Sequence, residues 1–241
     1  MLACSENNKP LLILDRPNPN GFYIDGPILE SCCTSFVGMH PVPIVHGMTI
    51  AEYAQMINGE NWLGENKKCE LICVPVANYT HDSLYHLPVN PSPNLQTMEA
   101  IYLYPSLCLF EGTNVSVGRG SDKPFEIIGS PFIKPTDFSF TPKPIKGVSE
   151  NPPHKNQLCY GFDLSNEWNY SIENKQINLT YLRKMYELSK KESFFIPFFD
   201  KLAGNQLLKK QIQENISEKE IRNSWETALN IYKQMRKNYL L

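Results

Sequence analysis

The sequence predicts an α/β fold over residues 1–129 followed by a smaller α+β unit over 130–241, and three observations carry that prediction. Two apolar runs, the four-residue LLIL within KPLLILDRPNPNG (9–21) and the run in CELICVPVANY (69–79), read as strands buried on both faces, the first closed by an acid and a turn-forming Pro/Asn/Gly cluster as in a parallel sheet. Between them lies a capped amphipathic helix. After Gly129 the composition changes: proline and aromatic residues dominate 130–153, and three helical patterns follow near Leu179, Asn205 and Ser217.

Each element has its own local reason. Only ten residues precede the first apolar run, and MLACSENN reads as the tail of a helix. The stretch TIAEYAQMING forms a helix: Thr49 and Glu52 make a capping box, Ile50, Tyr53, Ala54 and Ile57 share one face, and Gly59 ends it. HLPVNPSPNLQ (86–96) is a proline-rich loop. TMEAIYLYPSLCLFEGTN (97–114) begins as a short helix and is expected to end at a sheet edge, with Glu111 at the turn. GRGSDKPFEIIGSPF (118–132) is a glycine-punctuated loop running into a strand, and QLCYGFDL (157–164) reads as another strand. In the last helix Ser217 and Glu220 form a second capping box, and Ile221, Trp225, Ala228, Leu229, Tyr232 and Met235 trace its apolar face.

Composition bounds the function. Of the 241 residues 41% are hydrophobic and 20% charged, so the chain can bury a core and is not a disordered one. A formal charge of −2 gives no electrostatic footprint for nucleic acid or an anionic membrane, so no nucleic-acid partner is expected. Lys201 to Leu241 holds eight Lys/Arg against four Glu, interleaved as on a solvated helical surface. No run of about 18 apolar residues exists to span a bilayer. MLAC lacks the basic and apolar regions of an export signal, so the chain as written is expected to be cytoplasmic.

Seven cysteines form no regular disulfide framework. Cys69 and Cys73 have ligand spacing without the second pair that a structural zinc site requires, so no metal is expected. Cys32 and Cys33 lie upstream of His46 but outside any nucleophile motif. GRGSDK lacks the ending of a Walker loop and the context of a dinucleotide fingerprint, and no cofactor is expected.

Ligands of open parallel sheets bind beyond the carboxyl ends of the strands. Three polar clusters sit at such positions: Asp15, Arg16 and Asn18; Glu111 and Asn114 with Thr113; Arg119, Asp122 and Glu126. Each mixes an acid with hydrogen-bonding groups, and together they are expected to share one crevice; His46, at the entry to the capped helix, either faces that crevice or is an ordinary loop histidine. Asp15 could instead bond loop amides, Asn114 cap a turn, and the two arginines pair with acids of the same domain.

DRPNPNG, GPILE, SFVGMHPVPIVHGMTIAEYA, PSPNL, EGTNVSVGRGSDKPFEIIGSPF and IRNSWETALNIYKQMRKNYLL closely resemble, in order and through nearly the whole chain, the NamZ-type exo-β-N-acetylmuramidases, the DUF1343 family. The resemblance implies a Rossmann-like first domain, a smaller C-terminal domain and an active-site cleft between them, with Met1 aligning well inside the first domain. It implies removal of terminal N-acetylmuramic acid from the non-reducing end of peptidoglycan fragments, so the partner is a peptidoglycan-derived saccharide or muropeptide. Many members are exported. The family's catalytic glutamate would lie before Met1, leaving Glu111 and Asp15 as the candidate cleft acids present, with Glu126 behind them. Arg119 or Arg16 would contact the lactyl carboxylate of N-acetylmuramic acid, since a guanidinium suits a carboxylate. The rival readings are a sugar-binding fragment without hydrolysis and an incomplete gene product.

Overall fold

A computed structural model describes residues 1–65 and 67–241. The chain opens with a short helix α1 (Leu2–Glu6), then β1 (Leu11–Leu14), β2 (Asp25–Ile28), β3 (Pro43–Val45), α2 (Ile50–Gly59) and β4 (Leu71–Val74). Next come α3 (Met98–Leu107), β5 (Ile127–Ser130), β6 (Phe138–Phe140) and β7 (Cys159–Asp163). Five helices follow: α4 (Tyr170–Asn174), α5 (Thr180–Leu188), α6 (Phe199–Ala203), α7 (Leu207–Gln213) and α8 (Glu218–Arg236).

β1 and β4 pair in parallel, Leu11 opposite Leu71 through Leu14 opposite Val74, giving the expected small parallel sheet. Its expected burial on both faces is not what the structure shows. Leu12, Leu14, Ile72 and Val74 are exposed, because the helical cover lies on one side only, where α2 packs. β2 and β3 form a separate antiparallel pair, and β5, β7 and β6 make an antiparallel sheet in that order. β5 spans the position at which the sequence divides the chain, and it pairs with β7 on the far side. That pairing is close: a methyl group at Gly161 would sit 1.8 Å from the Ile128 carbonyl oxygen.

Both capping boxes are present, at Thr49/Glu52 and Ser217/Glu220. Asn205 adds a side-chain cap, its Oδ1 accepting from Leu208 N–H at 3.1 Å before α7. On α8 the buried face is Ile221, Trp225, Leu229 and Tyr232. Met235 packs beside it, whereas Ala228 faces water because it lies on the outer side of the Trp225 to Tyr232 line. The main core runs from Tyr23 and Val45 through Phe110, Ile128 and Phe199 to Trp225 and Leu229. A second cluster of Met48, Met56 and Tyr232 joins α2 to α8.

The sheet edge expected after α3 is absent, and residues Cys108–Gly112 form a 3₁₀ turn instead. Pro105, inside α3, has no N–H to give the Ile101 carbonyl one turn earlier. That freed carbonyl accepts instead from Asn20 Nδ2 at 3.0 Å. Among the described residues, no helix is long and apolar enough to cross a membrane.

Candidate functional site

The turn after β1 is built by its own amides. Asn18 Oδ1 accepts from Asn20 N–H at 2.9 Å, while Asn18 Nδ2 donates to the Met48 carbonyl at 3.0 Å. Asn20 is tied to α3 as described, and its Oδ1 is buried without a partner. The turn is thus fixed at both ends. It forms one wall of a cleft of about 910 Å³.

His46 enters the same cleft from the segment between β3 and α2. Its Nδ1 accepts from Met48 N–H at 3.1 Å, which leaves Nε2 as the proton-bearing nitrogen. The ring stacks on Tyr53, with centroids 5.2 Å apart and planes 15° from parallel. Burial pushes its pKa down to about 4; the Arg236 guanidinium pushes the same way against a smaller pull from Glu52. His46 is therefore a neutral, oriented donor at ordinary pH.

Glu111 lies on the 3₁₀ turn after α3 and also lines the cleft. Its Oε1 accepts from Arg119 Nε at 3.1 Å and Arg119 Nη2 at 2.8 Å. The guanidinium carbon sits 5.0 Å from the centroid of the Phe125 ring, a cation–π contact. Gly112 is required beside it: a methyl there would lie 2.4 Å from the Phe199 Cα of α6. Both groups of the pair are partly exposed, so the arrangement presents a carboxylate whose second oxygen remains available.

The three expected clusters therefore do not all converge. Asn18, His46 and Glu111 share the cleft, with Arg119 behind Glu111. Asp15 does not line it; its Oδ1 accepts from Ala51 N–H at 3.1 Å, completing the N-terminus of α2. Arg16 is exposed beyond the strand, and Asp122 is exposed on its loop. Glu126 is buried and accepts from Thr97 Oγ1 at 2.6 Å, bracing the start of α3. The backbone of Asn114 joins the Phe194, Ser130 and His154 contacts, and its side-chain amide is buried away from the cleft lining. The Nε–Nη2 edge of Arg119, expected to face a ligand carboxylate, faces Glu111.

Sequence reasoning missed Asn20, Tyr53, Tyr104 and Lys201, which also line the cleft. Asn20 carries the clearest signal, standing in the same NPN turn as Asn18. Tyr53 shares the apolar face of α2 in sequence, yet its hydroxyl meets His40 Nδ1 at 2.9 Å. Lys201 Nζ donates to the Cys32 and Thr34 carbonyls at 3.0 and 3.3 Å, which no local pattern encodes. Among the described residues no cluster of three potential ligands could hold a metal ion.

Known proteins resemble this chain along its whole length. The family described as exo-beta-N-acetylmuramidase NamZ, N-terminal, matches residues 1–99, and its C-terminal counterpart matches 102–241. The peptidoglycan beta-N-acetylmuramidase NamZ of Bacillus subtilis is 37% identical over 258 residues, covering 100% of this chain and 61% of that protein. The chain thus spans about three fifths of that relative. A crystal structure of a DUF1343 family protein from Bacteroides fragilis superposes with a TM-score of 0.96 at 49% identity, covering 100% of this chain and 68% of that one. A second such protein from the same organism, 22% identical with a TM-score of 0.72, shares the fold. On these matches, the chain belongs to the exo-β-N-acetylmuramidase NamZ family.

Proposed function

We propose that this chain acts on the terminal N-acetylmuramic acid of peptidoglycan fragments, as an exo-acting glycosidase of wall turnover, and that the cleft of Asn18, His46 and Glu111 holds that sugar. The observation that carries the reading is the cleft itself: a sugar-sized hollow with a fixed amide turn, a neutral imidazole donor and an arginine-braced carboxylate. Held by a guanidinium, Glu111 suits the stabilisation of an oxocarbenium-like centre or the acceptance of a sugar hydroxyl. Asp15 and Glu126 support α2 and α3 rather than touch substrate. Arg119 serves substrate through Glu111, and Lys201 is the cation beside the cleft for the lactyl carboxylate.

The parallel pair β1–β4 belongs, in this reading, to a Rossmann-like sheet. Its support is the parallel register and the exposed apolar face, which the crossover helices of such a sheet would cover.

Incubation with the disaccharide N-acetylmuramyl-β-1,4-N-acetylglucosamine should release free N-acetylmuramic acid, detected by chromatography. Glu111→Gln should lower that rate about a hundredfold or more, a loss typical of removing one electrostatic contributor. Lys201→Met should weaken muramyl ligands far more than their glucosaminyl counterparts; equal weakening of both removes Lys201 from this role.

A second reading is favoured by one observation: among the described residues Glu111 is the only carboxylate lining the cleft, whereas most glycosidases flank the bond with two. Either the substrate's own N-acetyl group supplies the second function, or the chain binds the sugar without cleaving it. Calorimetric titration beside the turnover assay separates them, since binding without release establishes the second.

A further inference from the structure

The segment from Ser35 to Gly38 closes as a tight turn, Ser35 N–H donating to Gly38 O at 2.8 Å and Gly38 N–H to Ser35 O at 3.2 Å. Phe36 and Val37 form its tip. Phe36 is 98% exposed, and it lines the mouth of the cleft with Val37 and Met39. A full aromatic ring left in water, with apolar neighbours, forgoes the stabilisation of burial and marks a contact surface.

The turn is held rather than loose. Lys201 bridges the Cys32 and Thr34 carbonyls at its base, and Cys33, beneath it, is 1% exposed. The ring is thereby presented in advance of any ligand, which lowers the ordering cost of binding.

Its neighbours say what it fits. A pyranose ring has a face of C–H groups, which the negative face of an aromatic ring attracts, and an edge of hydroxyls that need polar partners. Phe36 supplies the first. Further in, Asn20 Oδ1 is a buried acceptor without a partner and His46 Nε2 is an oriented donor. Among the large apolar residues lining the cleft Phe36 is the most exposed, whereas Glu111 is partly buried.

We propose that Phe36 is the stacking platform for the second sugar ring, the one on the leaving-group side of the scissile bond, while the terminal ring occupies the interior beside Glu111. This rests on the exo-glycosidase reading and adds to it where the aglycone sugar lies.

The full chain and its Phe36→Ala and Phe36→Trp variants are titrated with N-acetylmuramic acid alone and with the muramyl-glucosaminyl disaccharide, with sedimentation in parallel. Because Phe36 is at an exposed tip, the thermal midpoint should not move. Phe36→Ala should weaken the disaccharide about tenfold, the scale of one stacked ring, and the monosaccharide less than about twofold. Phe36→Trp should restore disaccharide affinity. Unchanged disaccharide affinity in Phe36→Ala overturns the proposal, as does equal loss for both sugars. A changed oligomeric state with sugar affinity intact would make the tip a protein contact. If the unmodified chain binds neither sugar, the saccharide reading itself fails, and this inference with it.

Discussion

At the scale of single residues, His46 joins the cleft to the stability of the fold. Its folded pKa near 4 lies below the ordinary 6.5, so between these values the unfolded chain binds the extra proton. The stabilisation from keeping it neutral is therefore fully present above about pH 6.5 and is lost as pH falls toward 4, at up to ~1.4 kcal/mol per pH unit. Glu52 acts lower. Burial pushes its carboxyl up, but hydrogen bonds from His81, Thr49 and Leu241 outweigh that and hold it below the ordinary 4.5, so its contribution disappears only under more acid conditions. Urea unfolding at a series of pH values between 6.5 and 4.5 should show a shallower decline in His46→Asn than in the unmodified chain; parallel slopes would refute the assignment. The HGMT entry to a capped helix fixes where His46 sits in the chain but leaves open whether its ring faces the cleft it lines. Asp15 and Glu126 look ligand-facing in sequence because an acid in a polar loop beside a strand reads the same whether it meets a sugar or braces the start of a helix. Only the three-dimensional partner, Ala51 in one case and Thr97 in the other, distinguishes them.

At the scale of elements, α8 fastens the C-terminal half to β2 and the His46 segment. Arg222 Nη1 meets Asp25 Oδ2 at 2.8 Å, and the same oxygen accepts from Ile177 N–H at 2.8 Å. Tyr232 donates to the His46 carbonyl at 2.8 Å, and Arg236 grips the Gly47 carbonyl. Arg222→Ala would leave Asp25 buried and short of its cation, at a cost of about 3–5 kcal/mol in chemical denaturation. Arg222→Met combined with Asp25→Asn should lose distinctly less, and an equal loss would point to packing instead of charge. Helix α8 could be read in advance because its Ser217/Glu220 capping box and a 3.6-residue apolar repeat are strong local signals. β2 could not: Asp-Gly-Pro-Ile has neither alternation nor β-branched density, and it is a strand because β3 and α8 pack on it. The 3₁₀ turn at 108–112 was hidden for a related reason, since Leu, Phe and Cys in a row look strand-like until Pro105 and the α6 contact at Gly112 are known.

At the scale of the whole molecule, the exposed face of the parallel pair is the feature least like a settled surface. Leu14 is 69% exposed and Leu12 56%, side by side with Ile72 and Val74. An apolar sheet face of this kind binds hydrophobic dyes and promotes association. Leu14→Glu with Ile72→Lys should reduce dye fluorescence and self-association while changing unfolding free energy by only about 0.5 kcal/mol, as for other surface positions. Undiminished dye binding would show that this face is already covered in solution. The parallel pairing was legible from the two matched apolar runs, but the burial of only one face was not, because a four-residue run does not say how many layers will cover it. Pro105 shows the molecule's compromise in miniature. Alanine there would return an amide to the Ile101 carbonyl and mend the helix, yet the mended helix would compete with Asn20 for its anchor on α3. A stabilising substitution chosen from helix rules alone would thus slacken the cleft-lining turn, so thermostability screens of this chain should score sugar affinity alongside melting.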